Sequence, residues 1–529
     1  MGGTAFMQKD ETNTISTYFD TICERNSGKL ALIFDDEKFT YDNLYQNVRN
    51  IAENLLRDGI GKGSKVAIIL PNCVEYIFLY FALFEIGAIA VPCNTKWELF
   101  DLDHILSDAN VDAVVYKQVI GVINFYKTLN TIVNEHGFQL KRYEVDEENS
   151  KESKNFQMLL LDGEREKMPV IEPEDVAMIS YTSGTTGNPK GVVMQNDCLL
   201  NISICAANNI FEKGDTPLSI APLYSAQGFL SLLIQFAIEG YMTYLSTFNV
   251  NEILRRVSLR QNNTIHTQPT MWNLLLQNKL INFTDFSGVK KVVVSGSLCA
   301  PDLAERIEEK VGCKLVNIYG LIEATSTVTS TRYDDSDEIR YNTVGRPIDG
   351  VTIKIVDENR QEVKKGEVGE LVTKGYNMKE YYNNEKSTNE VLEDGWLYTG
   401  DLARYYDDKN IAIVGRKKDM IIRGGFNIYP SDIENCLMEH PKIMDVAVVG
   451  KPHDIVGETI IAFIVTKPYE ELTEGDIYRY CRGRLSNYKF PDEVCFIQEM
   501  PIILAGKIDK KVLRTWVESG DYKNGRKGW

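Results

Sequence analysis

Ser180-Tyr-Thr-Ser-Gly-Thr-Thr-Gly-Asn-Pro-Lys-Gly191 decides how the rest of this chain is read. The stretch grows out of Val176–Thr182 (VAMISYT), an apolar run rich in β-branched and aromatic residues that reads as a buried strand. Thr182, Ser183, Thr185 and Thr186 then alternate with Gly184, Gly187 and Gly191, and Lys190 adds a positive charge. Such a loop exposes hydroxyls and backbone N–H groups that can wrap phosphate oxygens, as anion-binding nests do. It is not a Walker A loop, because Asn188 rather than Lys follows Gly187, and it is not G-x-G-x-x-G. A plain surface loop is the alternative, but it has no need of this Gly/Thr density followed by Pro189-Lys190-Gly191.

Outward from the loop, short apolar strands alternate with helical patterns. Lys65–Leu70, Ala88–Cys93, Leu218–Leu223, Val289–Gly296 and Lys314–Gly320 read as strands, and Glu75–Gly87 as an apolar helix. Continuous apolar strands separated by helices predict parallel sheets covered on both faces. Near Val344 the pattern changes to shorter alternating strands, Val351–Asp357, Gly369–Gly375 and Leu402–Gly415, the last folded at Asp407–Asn410. This predicts a small antiparallel β-barrel or sheet. After Arg416 comes a final α+β unit, with Ser431 as N-cap and Glu434 as its capping-box partner. Two domains are expected, 1–416 and 417–529.

The chain has 529 residues, 43% of them hydrophobic, with 27 Tyr and 21 Phe, which excludes disorder as the main state. A net charge of −17 argues against nucleic acid as a partner. The ten cysteines form no C-x-x-C pair and share no zinc-ligand spacing with the five histidines, so they read as reduced, mostly buried thiols of a cytoplasmic protein. The first residues show no signal-peptide pattern, and Phe6 stands where a myristoylation signal has Ser or Thr. The longest clean apolar run, Tyr76–Phe84, falls far short of the roughly 20 residues of a membrane span.

Further motifs follow in order: Asn317-Ile-Tyr-Gly-Leu-Ile-Glu323, Trp396-Leu-Tyr-Thr-Gly-Asp401, Gly415-Arg-Lys-Lys-Asp419 and Pro501-Ile-Ile-Leu-Ala-Gly-Lys507. With the glycine-rich loop, this set resembles the AMP-forming adenylating enzymes: acyl-CoA synthetases, stand-alone adenylation domains and firefly luciferase. The resemblance spans nearly the whole chain. It implies two doubly wound α/β subdomains, a small β-barrel and a mobile C-terminal α+β domain, with the active site in the cleft between the two parts.

What the resemblance implies for each residue agrees with the chemistry. Joining a carboxylate to the α-phosphate of ATP is mostly positioning plus electrostatic stabilisation. Thr182, Ser183, Gly184, Thr185, Thr186, Gly187 and Lys190 would hold the β- and γ-phosphates, with Ser297 near the nucleotide. Lys507 would bridge carboxylate and α-phosphate; otherwise it is a solvated lysine. Glu323 would hold Mg²⁺, or simply start a helix. Tyr319 and Gly320 would line the adenine, Asn317 would reach its amino group, and Ile413 would cover its other face; Tyr319 and Ile413 also read as core residues. Asp401 would take the ribose hydroxyls with Arg416 in support. Lys418 would be the hinge about which the C-terminal domain turns, bringing Gly424 and Gly425 to the thiol arm of coenzyme A.

Two positions depart from the family pattern: Ile322 stands where Thr is usual, and Ser225 where His is frequent. Candidate acid-lining residues are Tyr224, Ser225, Gly228, Ser295, Gly296 and Gly320. A glycine at 320, where the acetate branch has Trp, implies an acid longer than propionate. Tyr224-Ser225-Ala226-Gln227-Gly228 offers no carboxylate for an α-amine. His266 reads as a structural histidine. The expected activity is a carboxylate–CoA ligase of fatty acid or aryl acid metabolism. A stand-alone enzyme loading the phosphopantetheine of an acyl carrier protein, and a non-catalytic nucleotide-binding protein, are the alternatives. A homodimer stays open.

Overall fold

The computed structural model describes residues 14–146, 150–163, 165–182, 189–502 and 508–524. Ser183, Gly184, Thr185, Thr186, Gly187 and Lys507 therefore lie outside the described residues.

Two large sheets form the N-terminal part. One has eight strands and centres on Ile89–Pro92, Lys65–Ile69 and Ala113–Tyr116, all parallel. The other has nine and centres on Thr264–Thr267, Lys291–Val294 and Lys314–Leu321, also parallel where they pair. Side chains on a strand alternate between faces. Val66 and Ile68 accordingly enter one core while Ala67 and Ile69 enter another. In the second sheet Val293 faces the shared core and Val292 and Val294 face the opposite one. Each sheet is thus covered on both faces, which explains why its strands read as unbroken apolar runs.

The helices Val74–Glu85 and Ala226–Ile238 belong to the shared core. Tyr76–Glu85 and Gly228–Ile238 are buried throughout, so neither helix keeps a polar face. Phe81 meets Phe236 at 4.7 Å and Phe84 meets Phe229 at 5.7 Å, both edge-on. Each such buried ring contributes about 1.5–3 kcal/mol by removal from water. Among the described residues no helix is long and apolar enough to cross a membrane.

The sheets are mixed rather than purely parallel. Val176–Thr182 and Lys190–Gln195 form an antiparallel hairpin, so the glycine-rich loop joins two neighbouring strands instead of leading into a helix. Leu30–Phe34 and Glu37–Thr40 form a second hairpin at the far edge of the nine-stranded sheet. Short connections between adjacent strands force this antiparallel sense.

Residues 352–416 build a five-stranded antiparallel sheet around Val344, Ile355, Leu371, Ala403 and Ile411. Its hairpin turns at Asp407, whose carboxylate accepts from the Lys409 and Asn410 amides. The last sheet pairs Ile443–His453 with Gly457–Thr466 and carries Ile421–Arg423, Phe426–Ile428 and Glu493–Phe496. Its helix Pro430–Met438 corrects the expected capping box: Tyr429 is the N-cap and makes no side-chain bond. Pro430 takes the first turn, where a missing N–H costs nothing. Ser431 instead donates to the Val414 carbonyl, and Glu434 accepts from the Val448 amide at 2.7 Å. All ten cysteines are free thiols; Cys23, Cys93 and Cys481 are buried and the other seven half-buried, fewer buried than expected.

Candidate active site

Glu323 is set by the strand Lys314–Leu321, which ends in the short 3-10 turn Ile322–Ala324. Its backbone carbonyl accepts from the Met378 amide at 2.7 Å. Its Oε1 accepts from the Tyr381 hydroxyl at 3.0 Å. Tyr381 is buried on a short strand paired with Val192 and Val193, and the Lys190 ammonium lies 5.1 Å from its ring centroid. Lys190 starts the strand opposite Thr182, whose hydroxyl donates to the Lys190 carbonyl at 3.4 Å. Lys190, Tyr381 and Glu323 therefore form one row at the mouth of the glycine-rich hairpin. Burial, and then the Glu323 carboxylate, push the Tyr381 phenol well above its ordinary value, so it stays a donor. Sequence reasoning missed Tyr381; Glu380-Tyr-Tyr-Asn383 has no spacing that sets it apart.

The donor set fits Mg²⁺ held on phosphates. Among the described residues no group of three or more His, Cys, Asp or Glu is gathered. A single carboxylate completed by phosphate oxygens and waters is how Mg²⁺ usually binds, and Glu323 Oε2 has no protein partner among the described residues.

Asp401 is buried between two sheets. It stands opposite Arg416 in the pairing of Trp396–Tyr405 with Ile411–Arg416. Arg416 Nε lies 3.1 Å from Asp401 Oδ1, and the Tyr319 hydroxyl donates to Oδ2 at 2.7 Å. A carboxylate offers about four lone-pair sites, so two remain for a ligand. Thr399, Gly400, Asp401, Arg416, Lys417 and Lys418 line a cavity of about 370 Å³ here. Tyr319 and Ile413 pack against the same small core. Asn317 is buried, and its Nδ2 donates to the Arg340 carbonyl at 2.7 Å. Among the described residues Oδ1 accepts nothing, which suits an incoming amino group.

The residues expected to line the acid differ in their surroundings. The Ser225 hydroxyl accepts from the Gly228 amide at 3.2 Å and donates to the Pro222 carbonyl at 2.7 Å, so it caps the helix Ala226–Ile238. Gly228 is buried, and a Cβ there would overlap the Pro222 carbonyl oxygen. Both residues hold the turn that starts this helix. Gly320 likewise has a backbone reason: a Cβ would overlap the Ser326 carbonyl at a bulge between Tyr319 and Gly320. This backbone reason stands beside any effect of the missing side chain on the pocket. Tyr224 is half-buried, its phenol pushed up to about 12 by burial. Ser295 is buried against His266, with Gly296 and Ser297 exposed beside it. Burial pushes the His266 imidazole down to about 4, so it is neutral at pH 7.

The expected hinge residue stands in a short turn and the two glycines in a hairpin. Lys418 is exposed in the turn Lys417–Asp419, between the Lys417–Glu370 pair at 2.9 Å and the Asp419–Arg514 pair at 2.6 Å. Gly424 and Gly425 have φ of +58° and +81° in a tight hairpin, and a Cβ on either would meet nothing within 4 Å. Left-handed backbone on an open surface explains the glycines.

Known proteins resemble this chain over nearly its whole length. The long-chain-fatty-acid–CoA ligase of Bacillus subtilis (strain 168) is 30% identical over 531 residues, covering 94% of this chain and 94% of that protein. The mitochondrial medium-chain acyl-CoA ligase ACSF2 of Rattus norvegicus is 28% identical over 556 residues, covering 98% and 90%. ATP-bound MatB from Rhodopseudomonas palustris superposes with a TM-score of 0.87 at 26% identity, over 95% of this chain and 99% of that one. The C-terminal model of the AMP-binding enzymes matches residues 432–507. With the principal model matching residues 19–382, the chain belongs to the AMP-binding enzyme family.

Proposed function

We propose that the protein is a carboxylate–CoA ligase that forms an acyl adenylate from ATP and an acid longer than propionate, then passes the acyl group to coenzyme A. The observation that carries this reading is the Tyr319–Asp401–Arg416 cluster, adjoining the Glu323–Tyr381–Lys190 row along one strand end. Asp401 takes the ribose hydroxyls, Asn317 and Tyr319 fix the adenine, and Lys190 with the hairpin loop takes the terminal phosphates. Lys507 draws the carboxylate to the α-phosphorus. A carboxylate oxygen then bonds to phosphorus as the bond to pyrophosphate breaks. Mg²⁺ bound at Glu323 would neutralise phosphate charge, and Tyr381 keeps the Glu323 carboxylate oriented.

For the second step we divide the chain at 416/417 and let 417–529 turn at Lys418, so that Gly424 and Gly425 border the thiol's path. The thiol sulfur then attacks the acyl carbon and AMP departs. The names of the ligases it resembles support coenzyme A over a carrier protein as acceptor. Its ten free thiols support the cytoplasm as its compartment. The test is AMP formation from ATP and Mg²⁺ across aliphatic and aryl acids, with and without coenzyme A. AMP release that needs one acid class and coenzyme A, with acyl-CoA seen by mass spectrometry, is expected. Acid-dependent pyrophosphate release indifferent to coenzyme A would overturn the acceptor.

A further inference from the structure

The parallel strands Thr264–Thr267, Lys291–Val294 and Lys314–Leu321 lie side by side, with Thr267 opposite Val294 and Val294 opposite Asn317. Their carboxyl ends therefore present His266 and Gln268, then Ser295, then Asn317 and Tyr319. Open α/β sheets bind ligands in the crevice outside such ends. The nucleotide residues stand on the third strand, so the groups on the first two border the place of the acid.

Those groups are polar, buried and uncharged. His266 and Gln268 are each 5% exposed and Ser295 8%. The Ser231 hydroxyl donates to the Gln227 carbonyl at 2.8 Å, which leaves its oxygen to accept from His266 Nδ1 at 3.3 Å. His266 Nε2 is then the bare nitrogen, facing Ser295 Oγ at 3.1 Å and Gln227 Nε2 at 3.3 Å. Gln268 Nε2 donates to Gln227 Oε1 at 3.0 Å. The network uses up His266 but not Gln268: among the described residues Gln268 Oε1 has no partner, and its second N–H is unspent. Gly296, with φ of +90°, takes a left-handed backbone beside Gln268, whose side chain a Cβ there would touch at 3.4 Å. Polar groups left half-satisfied against a bound acid are a cost toward a hydrocarbon chain and a gain toward a group that completes them.

We infer that Gln268, braced by Gln227 and His266 and flanked by Ser295, selects a carboxylic acid that carries an uncharged hydrogen-bonding group, a hydroxyl, ketone or amide, in preference to the plain hydrocarbon acid. The inference rests on the ligase reading and narrows its substrate. No carboxylate or cation belongs to the cluster, so it offers nothing to a second charge on the acid. A pocket built to bond a substrate hydroxyl rejects the analogue lacking it far more strongly than an apolar pocket discriminates by size.

The test is ATP–pyrophosphate exchange by the full chain with octanoate, its hydroxy and oxo derivatives at successive carbons, benzoate and its hydroxy derivatives. At least one oxygenated acid should exceed its parent in kcat/KM by about tenfold or more. Gln268→Leu should reverse that order, a change a merely structural glutamine would not cause. Should this variant fail to fold, Gln227→Leu removes the brace and should lower the preference in the same direction. Parent acids equal to or better than every derivative would overturn the inference and leave the ligase standing. No exchange with any acid would overturn the ligase reading, and the inference with it.

Discussion

The Tyr381 hydroxyl donates to Glu323 Oε1 at 3.0 Å while its ring faces the Lys190 ammonium at 5.1 Å. One buried side chain thus positions an acid and a base that lie 133 residues apart in the sequence. Tyr381→Phe keeps the ring and removes only the hydroxyl. A hydrogen bond to a charged group is worth about 1.5–3 kcal/mol, less where the carboxylate is half-exposed. We expect adenylation to fall about tenfold and the Mg²⁺ concentration for half-maximal rate to rise. Exchange measured against Mg²⁺ checks this; an unchanged Mg²⁺ dependence would remove Tyr381 from the site.

Asp401→Ala should abolish nucleotide binding, because it also strands Arg416 and the Tyr319 hydroxyl. Tyr319→Phe should weaken ATP binding by about tenfold, as loss of one bond to a charged group does. Titration calorimetry with ATP measures both, and unfolding curves would separate them from loss of structure.

Lys507→Ala should leave ATP bound but stop acid-dependent exchange. Persistence of exchange at the original rate would refute the proposed catalytic role.

Ile322 packs against the large shared core. Ile322→Thr exchanges buried apolar surface for a hydroxyl and should cost about 1 kcal/mol of stability. Adenylation should be retained or raised, because Thr adds a donor where phosphate is expected. A collapse of rate in a folded variant would make Ile322 a necessary wall of the pocket.

Glu85 is buried, with Arg49 Nη1 at 3.0 Å from Oε2, and Arg49 also meets Asp20 at 2.7 Å. Burial raises the Glu85 carboxyl from 4.5 to about 8, against the opposing pull of Arg49. The folded chain therefore binds a proton more tightly than the unfolded one. That contribution to stability is whole below the unfolded value near 4.5 and is lost as pH rises through about 8. Glu85→Gln should flatten the decline of Tm between pH 5 and pH 9. An equal slope in both proteins would show that Glu85 is already ionised in the folded state.

The alternation of apolar strands and helices, the hydroxyl-rich glycine loop and the Thr399-Gly400-Asp401 motif are local patterns, so the sequence alone was enough to read a two-sheet α/β fold and to name candidate nucleotide residues. Strand sense at the hairpins, the cap of the helix Pro430–Met438 and the choice of Tyr381 are not local. Ser431 left its expected capping role because the Val414 carbonyl, from another sheet, offered a partner. Ser225 and Gly228 gained a second, structural reason because the backbone of Pro222 came close. Gln227, His266, Gln268 and Ser295 are scattered over 69 positions with no common spacing. The parallel pairing of neighbouring strands brings His266 and Ser295 together, the helix Ala226–Ile238 adds Gln227, and burial there keeps the imidazole neutral. Periodicity along the chain determines which residues are buried; tertiary pairing decides which polar groups meet, because a hydrogen bond depends on distances of a few ångströms that sequence spacing does not encode.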